Sequence, residues 1–200
     1  IFYLDDAKAL LKAGADFIAH SVRDQPVDEE FIGLLKARNT CVCPTLTREV
    51  STFVYEKEPD FFSDPFFLKG ADPAVVAQLK EPARQAQMAK STSAQRYKVA
   101  LDVAMANVKR LADAGVRIAS GTDTGPPARF QGYFEHLELE LLARAGLTPQ
   151  QVLDAATGTA AIGQFGPRVE DIRLLDHVGQ LANVAGPFVF AKLAERRFVR

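Results

Sequence analysis

Apolar and polar positions along this chain follow one layout three times. In residues 4–21 (LDDAKALLKAGADFIAHS), 28–45 (DEEFIGLLKARNTCVCPT) and 100–123 (ALDVAMANVKRLADAGVRIASGTD), apolar residues recur at helical spacing and then close up into a short run. Ala7, Leu10 and Leu11 mark the first helical face, and Phe31, Leu34 and Leu35 the second. Acidic residues lead and basic residues follow, Asp5 and Asp6 before Lys8 and Lys12, then Asp28 to Glu30 before Lys36 and Arg38. That order suits the helix dipole. Each helix should stop at a residue able to turn left-handed, namely Gly14, Asn39 and Gly115. The runs near Phe17–Ala19, Thr40–Cys43 and Val116–Ala119 are too continuously apolar to keep one face wet. Alternating helices and buried strands predict an α/β fold with parallel strands. Right-handed connections would bring the strand ends to one rim. His20 and Ser21, Pro44 and Thr45, and Thr122 and Asp123 stand at those ends.

Two stretches break the pattern. Residues 47–70 (TREVSTFVYEKEPDFFSDPFFLKG) read as a long loop, and their Phe residues, Phe61 and Phe62 among them, predict packing over a substrate group, a sheet edge or a partner. A polar helix is expected around Ala74 to Met105. After the third strand come two helices, the first ended by Gly146, the second capped by Thr148 with Pro149 at its first position. Beyond Ala161 the periodicity dissolves, with one strand expected at Phe188 to Phe190.

Composition narrows the partners. The chain has 200 residues, 48% hydrophobic and 24% charged, enough to bury roughly 70% of its unfolded surface. Its 24 basic and 25 acidic residues leave a net charge of -1 with no basic stripe, which argues against nucleic acid. No window approaches the roughly 18 apolar residues of a membrane span, so the chain reads as soluble, with localisation otherwise open. Cys41 and Cys43 are two apart, poorly spaced for a disulfide on a strand and without a second ligand cluster for metal; both read as small buried residues.

The rim carries the chemistry. A His and an Asp facing one cavity suit a divalent metal, whose bound water becomes acidic near pH ~7, with the carboxylate as proton carrier. The glycines flanking Asp123, Gly121 and Gly125, would let the backbone turn sharply and a ligand approach. Each residue also has a plain structural role, His20 as a core or turn histidine and Asp123 as a turn former. His136 and His177 default to structural roles. The tripeptide DTG, 123–125, also occurs in pepsin-like proteases, but there within an all-β fold.

The blocks GADFIAHS, VDEEFIGLLKARNTCVCPTL, AGVRIASGTDTG and HLELELLARAGLTPQQVLDAAT, collinear over residues 1–161, together resemble the C-terminal half of the amidohydrolase superfamily, its imidazolonepropionase-like and prolidase-like group. The resemblance implies the C-terminal part of a (β/α)8 barrel, about three parallel strands with helices, incomplete as given. It implies a metal centre, most simply zinc with one or two ions, that hydrolyses amide, cyclic amide or ester bonds of a small-molecule substrate. His20 matches the family's histidine after the sixth strand, a metal ligand. Asp123 matches the aspartate after the eighth, both ligand and proton shuttle. Thr45 falls at the end of the seventh, where the family shapes the substrate pocket. The family's remaining ligands would lie upstream of Ile1, so the isolated chain is expected to be inactive. Residues 162–200 depart from the family and are expected to be a divergent tail or a remnant of its small β-sandwich. Association with further copies is left open. The alternative is a non-catalytic α/β remnant that binds no metal and packs against a partner chain.

Overall fold

Helix α1 (Leu4–Lys12) buries Leu4, Ala7 and Leu11, with Asp5 and Asp6 in its first turn and Lys12 in its last. In the computed structural model, which describes residues 1–159, it leads through Gly14 (φ 105°) into strand β1 (Phe17–Ala19). Helix α2 (Glu29–Ala37) is capped by Asp28, whose side chain accepts from the Phe31 N–H, and ends at Asn39 (φ 53°) before strand β2 (Cys41–Cys43). Strands β1 and β2 are parallel, with Phe17 opposite Cys41 and Ala19 opposite Cys43.

The third expected strand is reduced to one parallel bridge, Val42 to Ile118, held by the Val42 N–H to the Arg117 carbonyl at 3.0 Å and the Ala119 N–H to the Val42 carbonyl at 2.8 Å. Ser120 leaves the ladder at once, its N–H donating to the Ala155 carbonyl at 2.9 Å. Alternating helices and parallel strands make this an α/β fold.

Between β2 and residue 118 the chain is more helical than its sequence suggests. Helix α3 (Leu46–Val50) follows β2 directly, and α4 (Pro65–Gly70) ends the aromatic stretch. The single helix expected over Ala74 to Met105 is three: α5 (Pro73–Leu79), α6 (Pro82–Ala89) and α7 (Thr92–Asp113). Pro82 cannot continue a preceding helix but fits the first turn of a new one, and the Ser91 side chain accepts from the Ala94 N–H to start α7. Helix α8 (Tyr133–Arg144) ends before Gly146 (φ 105°), and α9 (Pro149–Asp154) starts at Thr148, which exchanges capping bonds with Gln151. The tail over 162–200 and the strand at Phe188 to Phe190 lie outside the described residues.

The main core joins Leu11, Ile18, Phe31, Val42, Leu46, Val108 and Leu141, so helices α1, α2, α3, α7 and α8 close over the parallel strands. A second cluster of Tyr55, Phe62, Phe67, Val76 and Leu79 sits beneath the aromatic stretch. Phe61 and Phe62 belong to this cluster: Phe62 stacks on Tyr55 and Phe67 with ring centres 5.8 and 5.4 Å apart. Both pack against the other rings of this cluster. Cys41 and Cys43 are free and buried.

Candidate functional site

Parallel pairing brings the ends of β1, β2 and segment 117–119 side by side, with the His20 N–H donating to the Cys43 carbonyl (2.8 Å) and the Ser21 N–H to that of Pro44 (3.1 Å). The three rim residues share an unusual backbone. His20 (φ 66°), Thr45 (φ 51°) and Asp123 (φ 54°) are left-handed, a region sparsely used by non-glycine residues and unfavourable for a β-branched one such as Thr45. Such strain persists only where surroundings over-determine it, and it clusters at functional sites.

His20 and Thr45 meet directly. Nδ1 of the imidazole lies 2.6 Å from the Thr45 hydroxyl. Burial pulls the His20 pKa down to about 4, helped by the amino group of Ile1, Arg48 and Arg23, while Asp123 opposes. His20 is therefore a neutral imidazole at pH 7, the form that binds metals.

Asp123 is held from two sides. Arg129 donates Nη1–H to its carboxylate (2.6 Å) and to its carbonyl (3.0 Å), and Arg48 Nε lies 3.6 Å from the same carboxylate oxygen. The flanking hydroxyls of Thr122 and Thr124 both donate to Glu135 at 2.9 Å. Glu135 in turn accepts from the Gly132 N–H at the start of α8.

Behind the rim lie charges that sequence reasoning did not single out. Arg23 and Glu49, 3% and 0% exposed, form a buried ion pair at 3.1 Å, and Arg48 reaches Glu49 at 3.0 Å. The Arg23 Nε and Glu49 Oε2 atoms are close but not aligned as a hydrogen bond. Arg23 Nη1 donates to the Ile1 and Ser21 carbonyls at 2.6 Å, and its guanidinium lies 4.5 Å from the Phe2 ring centre.

Glu138, on α8, is wholly buried and meets no cation among the described residues. Its carboxylate accepts from the Leu46 N–H (2.9 Å), the Thr47 N–H (2.8 Å) and the Thr47 hydroxyl (2.9 Å), and burial pushes its pKa up to about 7. A readable signal existed: Glu138 sits at helical spacing from Phe134, Leu141 and Leu142, a carboxylate on the apolar face. His136 rests edge-on against Phe66, ring centres 4.7 Å apart, and lines the neighbouring cavity.

A cavity of about 600 Å³ opens beside Gly121 and Thr122, walled by Phe66, Phe67, Phe130 and Tyr133. His20, Thr45 and Asp123 do not line it, but Thr122, Glu135 and His136 do, so it adjoins the rim through the residues around Asp123.

For a metal, imidazole nitrogen and carboxylate oxygen are suitable donors by chemistry, and the Thr45 contact occupies Nδ1 of His20, not Nε2. Among the described residues, however, no group of three or more His, Cys, Asp and Glu side chains could hold an ion. His20 and Asp123 provide two of the three protein ligands usual in a catalytic zinc site.

No protein-family model matches the sequence, and no curated protein matches it significantly. Among solved structures, bottromycin amidohydrolase is 24% identical with a TM-score of 0.52 over 77% of this chain, and ochratoxinase of A. niger is 23% identical with a TM-score of 0.49 over 78%. This chain spans 37% of the first and 27% of the second. The likeness to bottromycin amidohydrolase is one of fold. No helix among the described residues is long and apolar enough to cross a membrane.

Proposed function

We propose that this chain carries part of the active site of a metal-dependent amidohydrolase acting on a carbon–nitrogen bond other than a peptide bond, or on an ester, in a small-molecule substrate. The observation that carries the reading is the convergence of His20, Thr45 and Asp123, all in left-handed conformation, at three adjacent parallel strand ends. The resemblance of the sequence blocks to the superfamily, and the likeness in fold to bottromycin amidohydrolase, support it.

A zinc ion bound by His20 and Asp123, with further donors outside the described residues, would supply hydroxide near neutral pH. The chain's own residues do the rest. Thr45 fixes the His20 ring at Nδ1. Asp123 accepts the proton of the attacking water and delivers it to the leaving nitrogen or oxygen. Arg129 orients the Asp123 carboxylate, and Glu135 holds the threonines on either side of it. Thr45 also borders the substrate.

The rival reading, a metal-free scaffold, draws on the Arg129–Asp123 ion pair, which already neutralises the carboxylate. Hydrolysis of a panel of N-acyl amino acids, cyclic imides and aryl esters by the product of the full reading frame separates the two. His20→Ala and Asp123→Asn are expected to lower kcat by about 100-fold or more. Activity that both variants retain would favour the scaffold.

A further inference from the structure

Thr45 occupies the N-cap position of α3 yet makes no capping bond with its side chain. A capping threonine ordinarily has an extended backbone and turns its oxygen back to accept from an N–H of the first helical turn. Thr45 instead has φ 51° and ψ 50°, and its hydroxyl lies against His20 Nδ1. In this backbone conformation the Thr45 oxygen sits at the imidazole and makes no bond to the first turn of α3. Of the N–H groups an ordinary cap would serve, that of Thr47 is left without it; Thr47 and its neighbour Leu46 are completely buried, and an unmatched buried N–H is costly. They donate instead to Glu138, which comes from α8, 91 and 92 residues away in sequence.

We propose that Glu138 is a positioning residue for His20: by capping α3 in place of Thr45, it frees the Thr45 hydroxyl to fix the imidazole. Several features fit this role. Among the described residues the carboxylate meets no cation, so the two backbone N–H groups and the Thr47 hydroxyl define its place. The Thr47 hydroxyl also approaches the Thr122 carbonyl at 3.4 Å, so the clasp ties the end of β2 to the residue before Asp123. Without Glu138, Thr45 relaxes to the ordinary extended cap, turns its oxygen to the α3 N–H groups and releases His20. A pair of buried apolar residues in place of Glu138 and Thr47 would pack as well, but would leave those N–H groups to Thr45.

The inference deepens the reading of His20 as a metal donor. It is tested without metal, so it can fail while that reading stands, or hold while that reading fails. The measurement is the 15N chemical shift of His20 Nδ1 at pH 8 in the metal-free chain, for wild type, Thr45→Val, Glu138→Leu, Glu138→Gln and the Thr45→Val/Glu138→Leu double variant. Wild type should show a single hydrogen-bonded tautomer. Thr45→Val and Glu138→Leu should each move the shift toward that of a freely exchanging imidazole, and the double variant should add nothing, since both changes break one bond. Glu138→Gln keeps the shape but sets an amide NH2 against a backbone N–H; it should move the shift in the same direction and decides the matter if Glu138→Leu does not fold. A folded Glu138 variant with the wild-type Nδ1 shift, or a double variant that moves it further than either single change, overturns the proposal.

Discussion

Gly121 lacks a side chain for a packing reason: a Cβ there would lie 2.5 Å from Cys43 Sγ. Gly121→Ala should therefore destabilise the fold by about 1–3 kcal/mol, read from the urea midpoint, and Cys43→Ala in the same chain should recover part of the loss. An unchanged midpoint would remove this explanation. From the sequence, Gly121 and Gly125 look alike, as turn formers around a carboxylate. Only Gly125 has a positive φ, 126°; the crowding at Gly121 depends on a residue 78 positions away that local pattern cannot reveal. Glu138 carries a second residue-scale prediction. Burial, with Glu49 adding to it, raises its pKa from the ordinary 4.5 to about 7. The folded state then keeps a proton that the unfolded chain releases between those values, so the Glu138 contribution is full below about 4.5 and lost as pH rises through 7. Glu138→Gln cannot ionise. The stability of this variant relative to wild type should climb by about 1–3 kcal/mol between pH 5 and 8; a flat difference would mean that Glu138 does not titrate in that window.

At the scale of elements, the β1 exit, α3 and α7 are joined by Arg23, Glu49 and Arg48, with both guanidinium groups over the ring of Tyr97 on α7, 5.7 and 5.5 Å from its centre. Removing one partner of a buried ion pair strands the other charge, so Glu49→Leu should cost about 3–5 kcal/mol, while Arg23→Met with Glu49→Leu should recover most of it. Equal losses in the single and double variants would show that the pair acts through shape alone. The aromatic stretch is similarly testable: Phe67, 1% exposed among Phe61, Phe62, Phe130 and Tyr133, should cost about 3–5 kcal/mol as Ala. A loss under about 1 kcal/mol would mean that this cluster collapses around the gap. Helix ends were the most legible features here, because Gly14, Asn39, Gly115, Gly146 and Thr148 act through local backbone geometry. The ion pair and the helical character of 46–70 were not, since Arg23 and Glu49 look like ordinary surface charges until tertiary packing buries them. The breaks at Pro82 and Ser91 could have been read, as proline and a capping serine are both local signals.

For the molecule as a whole, the repeated helix-to-strand layout explains why residues 25 and 103 positions apart, His20 with Thr45 and His20 with Asp123, stand on one rim. Parallel pairing places His20 and Thr45 there, Asp123 follows five residues after the bridge at Ile118, and the alternation that produces the pairing was visible in the sequence. The reduction of the third strand to a single bridge was not, because Val116–Ala119 is as apolar as the other two and only the bond from Ser120 to Ala155 shows where the ladder ends. Under the proposed function, this rim binds a catalytic divalent metal through His20 and Asp123. Elemental analysis of the full reading-frame product, as wild type and as Asp123→Asn, tests it most directly. Zinc or manganese near one or two ions per chain, lost in the variant, is the result predicted; a metal-free wild type, or a metal content indifferent to Asp123, would contradict it.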